Sequence, residues 1–172
     1  MPALSLRHLS RDAKILVTAF LVVLTLGYTT GLAFVYATTR MAPRGIGAHF
    51  AGSDDEREMK FPKSSLELIQ TTHNHVLSLS LLFGVLGALL LAAEMSSRLR
   101  RALIIESFAA ILTSFSSLWL VRYVSRGFSW LLLASGVAMA VSFYATVALL
   151  IVEVWRRRGP TPQVPGKDVE NC

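Results

Sequence analysis

Three of the four histidines in this chain, His49, His73 and His75, fall in or beside one polar stretch, and His73 and His75 flank Asn74 just before the apolar run Val76 to Ala93. Histidine at the lip of a membrane helix can ligate a metal or a haem iron, or carry a proton near neutral pH. Residues two apart on a helix point about 200° away from each other. His73 and His75 therefore cannot grip one ion from the same helix. His73 shares a face with Gln70, Ser80, Gly84 and Gly87, a small and polar stripe of the kind that faces a bundle; His75 shares its face with Leu79, Leu82 and Leu86. The expectation is that His73 turns inward as a ligand and His75 turns toward a partner subunit or the headgroup layer. His49 becomes the companion of His73 if its loop folds back.

A b-type haem held by His73 and His49 would leave Arg40, Arg44, Arg122 and Arg126 to meet the propionates or another anion. A transition metal needs a third or fourth ligand, for which Asp54, Asp55, Glu56 and Glu67 are candidates. No recognised ligand spacing is matched, and the other predicted helices contain no histidine, which counts against a haem buried between two spans. Interfacial histidines also cap, hydrogen-bond and anchor helices without any cofactor. Ligand, proton carrier and anchor all stand open on the residues alone.

The elements that must position these groups are set by hydropathy. Of 172 residues, 53% are hydrophobic and the mean hydropathy is +0.52, too apolar for a soluble domain of this size. Crossing the hydrocarbon takes about 20 mostly apolar residues, and four segments serve: 15–38, 76–93, 102–121 and 128–152. Lipid leaves backbone groups unsatisfied, so these are helices. The fold class is an all-α integral membrane four-helix bundle with antiparallel, up-down topology and one extracytoplasmic loop. Residues 1–14 form a cytoplasmic segment, 15–158 the transmembrane domain, and 159–172 a turn-rich tail expected to be disordered. The first span is too long for a signal peptide's apolar core and lacks a small-residue cleavage site, which makes it a retained anchor.

Ser64 with Glu67 three residues later makes a capping box, so the second helix starts well before the membrane. From Ser64 to Arg98 is roughly 50 Å of helix at 1.5 Å per residue, and its first turns protrude outward. Gly27-xxx-Gly31, Gly84-xxx-Ala88 and Gly136-xxx-Ala140 are small-residue stripes that let helices approach or copies associate. Glu106, Thr113 and Ser117 make a polar row on the third span, with Glu106 expected to pair with Arg100 or Arg101. Glu94 and Glu153 sit at span ends.

Orientation follows the Lys and Arg bias. Ten lie on the side of the two termini, in clusters at Arg7 to Lys14, Arg98 to Arg101 and Arg156 to Arg158 and at Lys167, against seven on the loop side. Both termini are therefore expected in the cytoplasm, with the histidine loop outside. Trp119, Tyr123 and Trp130 would sit at the outer interface and Trp155 at the inner one. The net charge of +6 then reflects topology and not nucleic-acid binding. A single cysteine, Cys172, rules out an intrachain disulfide relay.

Gly45-Ile-Gly-Ala-His49-Phe-Ala-Gly52, Met59-Lys-Phe-Pro-Lys-Ser64 and Thr72-His-Asn-His75 together resemble a pattern in small bacterial four-span proteins, often encoded beside multihaem cytochromes or other respiratory components. The resemblance spans Gly45 to Leu82. It implies a bacterial inner-membrane accessory to periplasmic electron transfer, with His49, His73 and His75 as the matching positions. It also implies membrane or periplasmic redox proteins as partners, in addition to the bilayer that the hydropathy requires and the second copy that the small-residue stripes allow. The Cys-x-x-Cys-His attachment motif is absent, so covalent haem would belong to a partner. The expected function is a membrane anchor or accessory subunit of such a system, binding haem or a metal. The alternative is a non-catalytic scaffold with structural histidines. No nucleophile and base pair can be assembled, so independent catalysis is not expected.

Overall fold

The computed structural model describes residues 5–53 and 59–156. Four helices are long and apolar enough to cross a membrane: α1 (Arg11–Thr39), α3 (Ser65–Leu91), α4 (Ser97–Tyr123) and α5 (Ser129–Trp155). Each of the first three is started by a serine side chain that accepts a backbone amide: Ser10 from Ala13, Ser64 from Glu67, and Ser96 from Leu99. The capping box at Ser64 is complete, because the Glu67 carboxylate also accepts the Ser64 amide at 2.8 Å. The second span therefore begins where the sequence places it, 11 residues ahead of Val76. Each expected span has its helix, but the second ends at Leu91 and not at Arg98, because the chain turns at 92–96 and Ser96 caps a new helix to which Arg98 belongs.

The loop after α1 holds an element that the sequence reading did not include. α1 ends because Arg40 and Met41 take left-handed conformations, with φ of 56° and 48°, and reverse the chain. A short helix, α2 (Pro43–Ala51), follows at once. Proline suits a first helical turn, since its missing N–H would find no partner there and its φ is already helical. Gly52, at φ 85° and ψ 171°, ends α2 in a region essentially reserved for glycine. The acidic run Asp54-Asp55-Glu56 and the tail 159–172 lie outside the described residues.

The closest pairing in the bundle is α4 against α5. Two serine pairs, Ser107 with Ser142 at 3.2 Å and Ser114 with Ser135 at 2.8 Å, cross this seam. They are spaced seven residues apart on each helix, so small side chains meet twice along one antiparallel face. Interhelical bonds of this kind contribute about 0.6 kcal/mol each in membranes. Ser114 thus ties α4 to α5, whereas Ser117, of the polar row, bonds within its own helix to the Thr113 carbonyl. In the middle of the bundle Phe143 is fully buried, stacked on Tyr28 of α1 at 3.9 Å and edge-on to Phe83 of α3.

The face that carries the N-terminal segment is locked by charge. Arg7 pairs with Glu94 at 2.6 Å and with Glu153 at 2.8 Å, and the Glu153 carboxylate also accepts the Glu94 amide at 3.0 Å. The segment before α1, the α3–α4 turn and the end of α5 thus share one knot. Two carboxylates and a hydrogen-bonding pair raise the Arg7 guanidinium above its usual range. At the opposite, loop-bearing face, Arg122 donates to the Lys63 carbonyl at 2.8 Å, Trp119 to Thr72 at 3.0 Å, and Tyr123 meets Ser65 at 2.7 Å. These contacts zip the end of α4 to the start of α3.

Candidate ligand groove

The helices are not packed all round. α1 rests on α5 and α2 and hardly touches α3, which leaves a groove of about 1400 Å³ between them, floored by α4 and α5. Small residues make its walls smooth. Gly27 and Gly31 line it from α1 and Gly136 and Ala140 from α5, and a methyl group added at any of the three glycines would touch nothing within 4 Å. These stripes therefore do not bring helices together within the chain, as expected of small residues; they widen a lipid-side opening. Gly84 and Ala88 point outward from α3 instead.

One end of the groove is polar, and there α2 lies across it. His49 and Phe50 of α2, Lys63, Glu67 and Gln70 border this end, together with His75. The structure thus reverses the expected facing of the histidine pair. Both rings are exposed, but His75 borders the groove, with its ring 5.7 Å from Phe115 of α4, and His73 does not border it. The physical reason is that α3 packs through Leu68, Phe83, Leu86 and Leu90, a face centred well away from Ser80 and Gly84. Leucines marked the buried side better than small residues did. His49, on α2, borders the same groove as His75. His8, the fourth histidine, lies in the short turn before α1, at the other face.

The chemistry of the two rings differs. His75 Nδ1 stands 2.9 Å from the Thr71 carbonyl oxygen, which can only accept, so Nδ1 carries the proton and Nε2 keeps a lone pair for an incoming donor or ligand. His49 packs edge-on against Phe50 at 4.8 Å. Burial first, and the nearby Lys63 and Lys60 charges next, lower its pKa below the ordinary 6.5, with Glu67 opposing weakly. The folded state then binds fewer protons than the unfolded one in this window, so stability rises with pH through it. Unfolding of the purified protein at a series of pH values is expected to show constant stability above pH 6.5 and a decline as pH falls below it. His49→Gln should flatten that decline, and an unchanged slope in the variant would remove His49 as its source.

The arginines proposed for propionates are scattered. Arg122 is engaged by the Lys63 carbonyl and lies over the Tyr123 ring at 5.0 Å. Arg40, Arg44 and Arg126 line a second cavity, which His49 and His75 do not border. Glu67 is occupied by Lys63 and the Ser64 cap. Among the described residues there is no group of three or more metal-ligating side chains. Asp54, Asp55 and Glu56 lie outside them. Of the apolar residues between α1 and α3, Phe50 borders the groove, while Met59 and Phe61 are exposed.

Glu106 is the residue whose setting the sequence reading misjudged most. Both its carboxyl oxygens are shielded from the surface, with no hydrogen-bond partner among the described residues. The pairing expected with Arg100 or Arg101 is not made. Arg100 donates to the Ala93 and Met95 carbonyls and Arg101 to that of Ser97, which turns both toward the helix start.

A family model described as a transmembrane helical domain matches residues 40–161. The chain belongs to this family. The match to the transmembrane helical domain takes in α2 through α5 and therefore both histidines of the groove. No curated protein and no solved structure matches the chain. It is a multi-pass membrane protein, and the α1 that completes the groove precedes the matched region.

Proposed function

We propose that the protein is an accessory subunit of an electron-transfer system facing the outer side of a bacterial inner membrane. In this reading the groove holds a lipid-soluble, quinone-class carrier with its head between His49 and His75. The observation that carries the reading is the groove's polarity: a smooth, lipid-open apolar channel ends at two imidazoles on different helices. An isoprenoid chain fits the glycine-walled part, and a flat ring with two oxygens fits the histidine end. The lone pair on His75 Nε2 accepts from the hydroxyl of the reduced carrier. A haem fits less well, since its propionates would need arginines that line another cavity or are already bonded. The resemblance to proteins encoded beside respiratory components supports the redox setting.

Purification in mild detergent, solvent extraction and an absorption spectrum test this. A quinone-class compound is expected in the extract, reduced about tenfold in the H49A/H75A variant for the loss of two hydrogen bonds. An empty extract, or the same amount from the folded variant, would sink the reading. A Soret band would replace the quinone with haem.

A second reading, a scaffold without a carrier, is favoured by the outward stripe of Gly84 and Ala88 on α3, where nothing among the described residues covers the glycine. It predicts co-purification with a larger complex that survives H49A/H75A but is lost on Gly84→Leu.

A further inference from the structure

One hydroxyl along the apolar length of the groove is left over. Tyr28 of α1 forms part of the wall, and its ring is held by stacking on the buried Phe143 at 3.9 Å and by the edge of Tyr144 at 6.0 Å. The Tyr28 hydroxyl has no hydrogen-bond partner among the described residues, and unlike the Glu106 carboxyl it is not closed off from the surface. The other hydroxyls that line this stretch are engaged. Thr30 donates to the Leu26 carbonyl at 2.8 Å and Thr38 to that of Phe34 at 2.9 Å. Tyr144 shares a hydrogen bond with Thr29, and Ser114 one with Ser135, each at 2.8 Å.

The depth of Tyr28 limits what can meet it. Phe143, on which it stacks, adjoins Ser142, the partner of Ser107 on α4; His75 meets Phe115, eight residues further along α4. At 1.5 Å per residue Tyr28 therefore lies roughly 12 Å from the histidine end, close to the middle of the 29-residue α1. Phospholipid ester and phosphate oxygens stay at the boundary of the hydrocarbon, and its core holds no water to take the hydrogen. An acceptor that reaches Tyr28 has to arrive on a molecule whose polar ring itself enters the apolar layer.

We propose that the Tyr28 hydroxyl is a second hydrogen-bonding position in the groove, donating to a carbonyl oxygen of the oxidised carrier, an inference that rests on the carrier being of the quinone class. A carbonyl oxygen only accepts, so against His75 Nε2 it would set lone pair against lone pair. The phenol supplies the missing hydrogen. The hydroxyl of the reduced carrier suits His75 instead, so the two forms rest with their heads at different depths of one groove. Without a carrier, the phenol is an unspent donor in apolar surroundings and contributes nothing to stability.

Full-length protein in detergent, titrated with decylubiquinone and separately with decylubiquinol, tests this through the rise in melting temperature that ligand binding produces. Tyr28→Phe keeps the stacked ring and removes only the hydroxyl. It is expected to be at least as stable as wild type without ligand and to bind the oxidised probe about fivefold more weakly, with the reduced probe unaffected. His75→Ala should show the reverse, weakening the reduced probe. Tyr36→Phe, the same change on an exposed tyrosine of α1 outside the groove, should leave both probes as in wild type. Undiminished binding of the oxidised probe by Tyr28→Phe overturns the second position, and the carrier reading survives it if His75→Ala still weakens the reduced probe. Equal weakening of both probes by Tyr28→Phe overturns the assignment to the oxidised form. A Tyr28→Phe protein less stable than wild type without ligand also overturns the position, since its hydroxyl would then be bonded within the chain. Failure of both probes to bind wild type overturns the carrier and this position together.

Discussion

Gly45→Ala is expected to destabilise the loop-bearing face by about 3 kcal/mol, because the new methyl group would overlap the Thr39 carbonyl oxygen. The obstruction is backbone and cannot be relieved by a rotamer change. Thr39 is itself fixed: it is buried, its hydroxyl donates to the Val35 carbonyl at 2.7 Å, and the same oxygen accepts the Met41 amide at 3.2 Å. α2 must therefore lift away from α1. Lifting it would open the polar end of the groove and separate Arg44 from Arg126 in one step. Hydrogen exchange would show the change as faster exchange confined to Pro43–Ala51 and its neighbours, alongside a lower global unfolding free energy. Alanine at Gly27 or Gly31, where there is nothing within 4 Å, is the matched control and should cost little. A Gly45→Ala protein as stable as these controls would mean that α1 and α2 are not in contact.

The second large effect has the opposite sign. Glu106→Leu is expected to stabilise the folded bundle by about 2 kcal/mol, since a shielded carboxyl without a partner is replaced by an apolar side chain of similar bulk. A charged or strongly polar group within a span costs about 2.5–3.5 kcal/mol at the bilayer centre. Glu106 lies nine residues beyond the start of α4, about two-thirds of the way to the middle of this 27-residue helix, so less than the full figure is recovered. Reversible unfolding in mixed micelles gives the measurement. A loss of stability on Glu106→Leu would show that the carboxyl is bonded and that its isolation is wrong. Proteins keep such residues at a cost to stability when the residue has work to do. A stabilised variant that has lost its extractable carrier, or its partner complex, would give Glu106 that work.

What could be read from the chain, and what could not, divides along the difference between local and relational signals. The Ser64 and Glu67 capping box, the four hydropathy runs and the alternation of face at each short turn depend on neighbours within a few residues, and each appears in the fold. α2 was hidden because Gly45, Gly47 and Gly52 read as loop residues; Pro43 at the start and the following nine-residue interval were the signal that could have found it. The facing of His73 and His75 turned on which side of α3 meets other helices. That is a property of its neighbours, and small residues proved to mark a gap where contact was expected. Arg7 with Glu94 and Glu153 was legible in part, as opposite charges at span ends on one predicted side. Nothing along the chain said that the three would converge.

That convergence bears on how the protein is made. Arg7 and Glu153 are 146 residues apart, so their bond has to wait until the last helix has left the ribosome and entered the bilayer. Until then the segment before α1 is held from the α3–α4 turn, by Glu94 and the Ala92 carbonyl. A chain stopped short of Glu153 keeps Arg7 bonded to Glu94 alone and leaves the Glu94 amide without its carboxylate. The knot thus works as a completion latch, and an unfinished or misinserted copy would present an unlatched N-terminus to the proteases that patrol the membrane surface.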